Sequence, residues 1–362
     1  MKKNISVLAF ICLLCFSGFA QQKPSDILLK NYRPKSIYHI PVTIPDRAKY
    51  PVIDMHSHPY ANSAQEVDQW VKNMDEMGIK KTIILTFATG YQFDSIVKVY
   101  SKYKDRFELW CGFDYTGYDK PGFGPAAVKE LDRCYKMGAK GVGELGDKGA
   151  GEIYSKPVPG YGLHIDDPRM KLLLAECAVL HMPINIHVAE DYWMFQPADS
   201  TNDGMMNAGD WHVDVKDGKL SHEQLIQSLE NAVRDNPKTV FIACHFANLC
   251  YNLDKAAQLL DKYPNLYMDI AARYGETAPI PRYMDGFYTK YQDRLLYGTD
   301  MGMDKHMYQT TFRILETKDE HFYETEMFNY HWPLNGFGLS DKILKKLYKD
   351  NALKIQMYEN KK

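Results

Sequence analysis

Along the chain, short apolar runs rich in Val, Ile, Leu and Phe alternate with longer stretches whose apolar residues recur every three or four positions. The short runs have the length and β-branched content of strands, and the longer ones have the period of an amphipathic helix. Eight strands are expected, centred on Val52–His56, Lys81–Thr86, Phe107–Phe113, Gly141–Leu145, Pro183–Val188, Val240–His245, Leu266–Ile270 and Leu295–Gly298. Helical patterns follow most of them. In 64–78 the residues Val67, Trp70, Val71, Met74 and Met77 share one face, and in 123–138 Phe123, Ala127, Leu131 and Cys134 do the same. Asp166-Asp167-Pro168 opens a helix over 168–181, with an acid as cap and proline in the first turn. Ser221 with Gln224 opens another, and a last helix is expected from about Ser340 to Tyr358.

Alternating strand and helix units predict a parallel sheet, and eight in succession favour closure into a (β/α)8 TIM barrel. Strand centres are spaced by about 30 residues, the size of a βαβ unit. Two gaps are longer, 147–167 after the fourth strand and 190–220 after the fifth. Loops after strands form the active face of such a barrel. The second insertion carries Tyr192, Trp193, Phe195 and Trp211 among Asp199, Asp203, Asp210 and Asp214, and reads as a lid over a site.

Ahead of the barrel, Lys2 and Lys3 precede the apolar run Val7–Phe19, which ends in Gly18-Phe19-Ala20. This is the pattern of a secretory signal peptide over residues 1–20. The run is too short and wrongly flanked for a stable membrane span. The mature chain is therefore expected in the periplasm or outside the cell, without a membrane span. Residues 21–50 are polar and punctuated by proline, an extended lead-in that wraps the body; the barrel proper occupies 51–362.

Composition narrows the function classes. With 45% hydrophobic residues in 362, the chain fills a large core, which excludes disorder. Removing 1–20 leaves a net charge of −4, which gives no basic footprint for nucleic acid. The mature chain keeps five cysteines, Cys111, Cys134, Cys177, Cys244 and Cys250, an odd number without CxxC spacing. They read as small buried hydrophobes, with a Cys244–Cys250 pair across a short loop as the alternative. Aromatic residues make up 13%, and the lid holds part of that excess.

Candidate chemistry lies at the strand ends. In Val52-Ile53-Asp54-Met55-His56-Ser57-His58, residues two apart share a face, so His56 and His58 point together into the barrel. Two imidazoles on one rigid element suit a divalent metal. Asp54 shares that face but sits deeper, as a buried polar partner in the floor. Glu144 ends the fourth strand, His187 the fifth, His245 the sixth and Asp300 the eighth. Five strands thus present metal-type ligands at one end of one barrel, and convergent titratable groups mark a site. Arg273, at the end of the seventh, is placed either to hold a substrate carboxylate or to pair with a rim acid. His306 and His212 read as exposed histidines.

The stretches IDMHSHP, VGELGD, INIHVAE, FIACHFAN and LLYGTDMG, with KKLYKDNALKI near the end, resemble the amidohydrolase superfamily, specifically the amidohydrolase-related metal-dependent hydrolases of amidohydrolase 2 type. The resemblance covers about 51–358. It implies a barrel with one or two divalent ions at its mouth, held by His56, His58 and Asp300 with His187 as a further ligand. Glu144 would join them or bridge a second ion, and His245 would bind a second ion or the reacting group. Some relatives carry a carbamylated lysine on the fourth strand; Lys140 lies too early for that role. Mixed imidazole and carboxylate ligands suit zinc and admit manganese, iron or nickel.

These residues imply a metal-activated water attacking a C–N or C–O bond of a small molecule, with Asp300, His245 and Glu144 catalytic and Arg273, Trp193 and His245 contacting substrate. Two other readings stay open: a metal-dependent decarboxylase of an aromatic or enoic acid, and a non-catalytic extracytoplasmic binding protein. Self-association into a homo-oligomer is also left open.

Overall fold

The computed structural model describes residues 23–204, 211–215, 219–327 and 332–359; the expected signal segment and Asp210 lie outside them. The chain divides into two units, Met1–Arg33 and Pro34–Lys362. In the first, the described residues form two single 3-10 turns, Pro24–Asp26 and Leu29–Asn31. All other elements belong to the second unit.

Among its described residues eight parallel strands form, β1 (Val52–Ser57), β2 (Ile79–Leu85), β3 (Phe107–Trp110), β4 (Val142–Asp147), β5 (Ile184–Val188), β6 (Phe241–Ala243), β7 (Leu266–Asp269) and β8 (Leu295–Leu296). β1 to β3 pair in order, and so do β4 to β8. Two seams close the ring. Cys111, just past β3, bridges Val142 of β4. On the other side the Met55 N–H donates to the Tyr297 carbonyl at 2.9 Å, and the Thr299 and Asp300 N–H groups donate to the His56 carbonyl at 3.1 and 2.9 Å. The expected barrel is thus present.

The second seam explains two sequence choices. A Cβ at Gly298 would stand 2.7 Å from the His56 Cβ and 3.0 Å from the Ala271 Cβ, so only glycine lets β8 pass this close to β1. Asp54 is fully buried and accepts from the His56 N–H, the Thr299 N–H and the Thr299 hydroxyl. Burial pushes its carboxyl up to about 7, against the pull of those hydrogen bonds.

Helices cover the outside, and their ends follow local chemistry. Ala64–Met77 starts at Ser63, whose hydroxyl accepts from the Glu66 N–H, and stops at left-handed Gly78. His222–Asp235 opens with a complete capping box between Ser221 and Gln224. The helix expected over 168–181 begins instead as a 3-10 turn, Pro168–Met170, before Lys171–Val179. The last helix is interrupted by a π turn at Lys346–Asp350. The first insertion folds into a small antiparallel hairpin, Glu152–Ile153 with Gly160–Tyr161. In the lead-in, Thr43 donates through its N–H and hydroxyl to Asp319 at 2.7 and 2.9 Å. All five described cysteines are buried and free, so Cys244 and Cys250 do not pair. Among the described residues no helix is long and apolar enough to cross a membrane.

Candidate metal centre

β1 carries His56 on its inner face, and His58 follows directly after its last residue, Ser57. Around them the barrel gathers Glu144 from β4, His187 from β5, and His245 and Asp300 from just beyond β6 and β8. The His58 Nε2 is 2.9 Å from Asp300 Oδ1 and 3.6 Å from Glu144 Oε2. The His56 Nε2 lies 3.6 Å from Asp300 and 3.7 Å from Glu144. Glu144 also reaches the His187 Nδ1 at 2.8 Å and the His245 Nε2 at 3.4 Å. It therefore stands between two histidine pairs.

Each imidazole is oriented by a bond on its far side. The His58 and His245 Nδ1 atoms face the carbonyls of Leu85 and Ala271 at 2.9 and 2.7 Å. A carbonyl only accepts, so Nδ1 carries a proton and Nε2 is the nitrogen turned inward. The His56 Nδ1 meets Asp269 at 2.9 Å, and the His187 Nε2 meets Glu190 at 3.2 Å. Four ring nitrogens thus converge beside Glu144 and Asp300. A second acceptor behind each ligand is how proteins fix metal-binding histidines.

The residues fit a divalent cation. The His56 Nε2 is buried and has no hydrogen-bond partner. The His245 Nε2 and His187 Nδ1 stand 3.1 Å apart, with Glu144 2.8 Å from the latter, so two ring nitrogens and a carboxylate are close enough to share one cation. His56, Glu144, Cys244 and His245 form one compact donor group, and His56, His58 and Asp300 another. The electrostatics agree. Burial lowers the His245 pKa, and neighbouring His187 lowers it further, keeping the ring neutral. Burial opposes charge on His56 as well, but Asp269 and Asp300 outweigh it and raise the pKa well above the histidine range. A site that draws a proton this strongly draws a metal by the same field.

Other expected residues have different surroundings. Arg273 is 6% exposed and pairs with Asp191 at 3.1 Å, while its Nε and NH2 donate to the Asn248 Oδ1. Trp193 lines a cavity walled also by Asp191 and Trp332, which none of the six inward residues lines. His306 pairs with Glu324 at 3.0 Å, and His212 is exposed. Lys140 is exposed at the opposite end of β4.

Three contributors escaped sequence reasoning. Asp269 binds the His56 ring and also accepts from the His245 N–H at 2.9 Å, tying two ligands together. A lone acid inside the apolar run Leu266–Ile270 was its signal. Glu190 sets the His187 tautomer and faces Lys148 at 3.4 Å. Asn248 bonds the Val188 and Ala189 carbonyls and receives Arg273. Nothing in its local pattern marked it.

The amidohydrolase family model matches residues 53–355 of the chain. Among solved structures, an uncharacterised TIM-barrel protein from Bordetella bronchiseptica is similar at 14% identity, covering 86% of this chain and 100% of its own, with a TM-score of 0.54. The 5-carboxyvanillate decarboxylase of Novosphingobium aromaticivorans, solved with manganese and 4-hydroxy-3-methoxy-5-nitrobenzoic acid, is similar at 13% identity over 87% of this chain and 99% of its own, with a TM-score of 0.51. At such identities the likeness is one of fold. No curated protein matches the sequence.

Proposed function

The chain belongs to the amidohydrolase family, and on that premise we propose that it is an exported metal-dependent hydrolase cleaving a C–N or C–O bond of a small molecule, such as a cyclic amide, lactone or ester. The observation that carries this reading is the convergence of four histidine ring nitrogens on Glu144 and Asp300. His56, His58 and Asp300 would hold one ion; His187, His245 and Glu144 would complete its shell or hold a second. When bound, such a cation acidifies water from a pKa of 15.7 toward about 7 and polarises the attacked carbonyl.

The chain's own groups supply the rest. Of the two inward carboxylates Asp300 is the more open, with 23% side-chain exposure against 7% for Glu144. Burial alone would raise its pKa, but His56 and His58 outweigh burial and hold the carboxyl well below the usual range. Asp300 is therefore ionised at neutral pH, ready to accept a proton from water and return it to the leaving group. His245, kept neutral and pinned by the Ala271 carbonyl, turns its Nε2 toward the same space. Decarboxylation of an aromatic acid is the second reading, because a cation in this site would hold a substrate carboxylate as well as polarise a carbonyl.

The test is a panel of lactones, cyclic amides and esters run beside aromatic acids, with carbon dioxide detection. Hydrolysis is expected with metal supplied, and Asp300→Asn should lose on the order of 10²–10⁴-fold. Carbon dioxide release without hydrolysis would replace this reading with the decarboxylase.

A further inference from the structure

A second concave site lies in the loop that follows β5. It is a cavity of about 470 Å³, large enough for a ligand of one or two rings. Its walls include Trp193, Tyr251, Tyr283 and Trp332. Tyr251 and Tyr283 are 47% and 54% exposed, unusual for rings of this size within a concavity. The rings are held in place. Tyr251 stacks on Tyr192 with centroids 4.0 Å apart and planes 13° apart, and the Tyr283 hydroxyl donates to Asp254 at 2.9 Å. The Trp332 indole N–H donates to Asp203 at 3.1 Å. Gly204 lies flat on Trp193, where a Cβ would come within 2.1 Å of the ring.

The polar part of the lining combines the neutral side chains of Gln196, Thr201 and Asn202 with the carboxylates of Asp191, Asp203 and Glu276, and among the described lining residues there is no lysine, arginine or histidine. Asp191 is paired with Arg273, and an anionic ligand would meet the like charges of Asp203 and Glu276 with no cation in the described lining to offset them. A purely apolar ligand would strip water from those carboxylates without replacing its hydrogen bonds. A small ammonium ion would leave most of the volume unfilled. A neutral sugar ring meets every demand: its hydroxyls donate to carboxylates and its C–H faces lie against aromatic rings. We propose that this cavity is a saccharide-binding subsite for one or two neutral sugar rings, distinct from the histidine cluster.

Saturation-transfer NMR and tryptophan fluorescence titrations with methyl β-glucopyranoside and cellobiose test it, with choline and benzoate as the cationic and anionic controls. The full protein is titrated both metal-loaded and after chelation, so that loss of the metal reading leaves this one testable. The glycosides are expected to bind equally in both forms. Tyr251→Ala and Trp332→Ala should each weaken them about tenfold, and Tyr251→Phe should keep the affinity because the stacking face remains. Neither glycoside binding, binding that those two variants leave unchanged, or choline or benzoate binding in their place would overturn the proposal.

Discussion

Asp269 illustrates how much a single side chain out of reach of substrate controls. It is fully buried, holds the His56 ring at 2.9 Å, and accepts the backbone N–H of His245 at 2.9 Å. Asp269→Asn keeps the shape but no longer compels the His56 tautomer that turns Nε2 inward. Metal affinity, measured by competition with a chelator, should fall about 10–100-fold. Asp300→Asn should behave differently: activity is lost while part of the metal is retained, because the histidines remain. The inward residues were legible in the sequence because strand alternation places them. Their supporting acceptors were not, since the carbonyls of Leu85 and Ala271 carry no sequence signature.

At the scale of elements, the turn after β6 departs most from expectation. The strand was expected to run through His245, yet it ends at Ala243, and His245, Phe246, Ala247 and Asn248 are all left-handed, with φ of 59°, 54°, 56° and 53°. That conformation costs about 1–2 kcal/mol per non-glycine residue and persists only where contacts over-determine it. Asn248 supplies them, clamping the turn to Val188, Ala189 and Arg273. Asn248→Ala should therefore cost at least about 3 kcal/mol in urea denaturation, well above an ordinary polar deletion. A pattern of alternating apolar residues cannot foresee a turn whose conformation is imposed from β5 and β7. The helix start at Ser221 was more legible, because its capping box with Gln224 is local.

Between helices, Glu230 joins His222–Asp235 to Leu253–Lys262 by accepting from Lys255, Lys262 and the Tyr263 hydroxyl. Burial would raise its carboxyl, but these donors outweigh burial and bring the pKa down from 4.5 to about 2. A depressed carboxyl stabilises the fold above its unfolded pKa and loses that contribution as pH falls through the folded one. Glu230→Gln should therefore lose about 1 kcal/mol at neutral pH after solvent screening. Thermal melts of parent and variant should converge as the pH drops from 4.5 toward about 2.

For the whole molecule, the barrel brings residues up to 244 positions apart into one cluster, from His56 to Asp300. Closure at the Met55–Tyr297 seam is what makes that possible. The strand count and the shared strand ends were readable from periodicity, whereas the cavity beside the loop after β5 depends on tertiary contacts such as that of Trp332 with Asp203. A bound ion ties strands across the ring, so chelation should lower the melting temperature. The stabilisation lost is about 3 kcal/mol if the metal had stood at a hundredfold excess over Kd. The central claim is that this cluster is a metal centre. Elemental analysis of the purified protein, supplied with divalent metals during expression, tests it most directly beside a His56→Ala/His58→Ala variant. One or two equivalents in the parent and a large loss in the variant are predicted. A parent protein with stoichiometry near zero, or a folded variant that keeps the full complement, would contradict it.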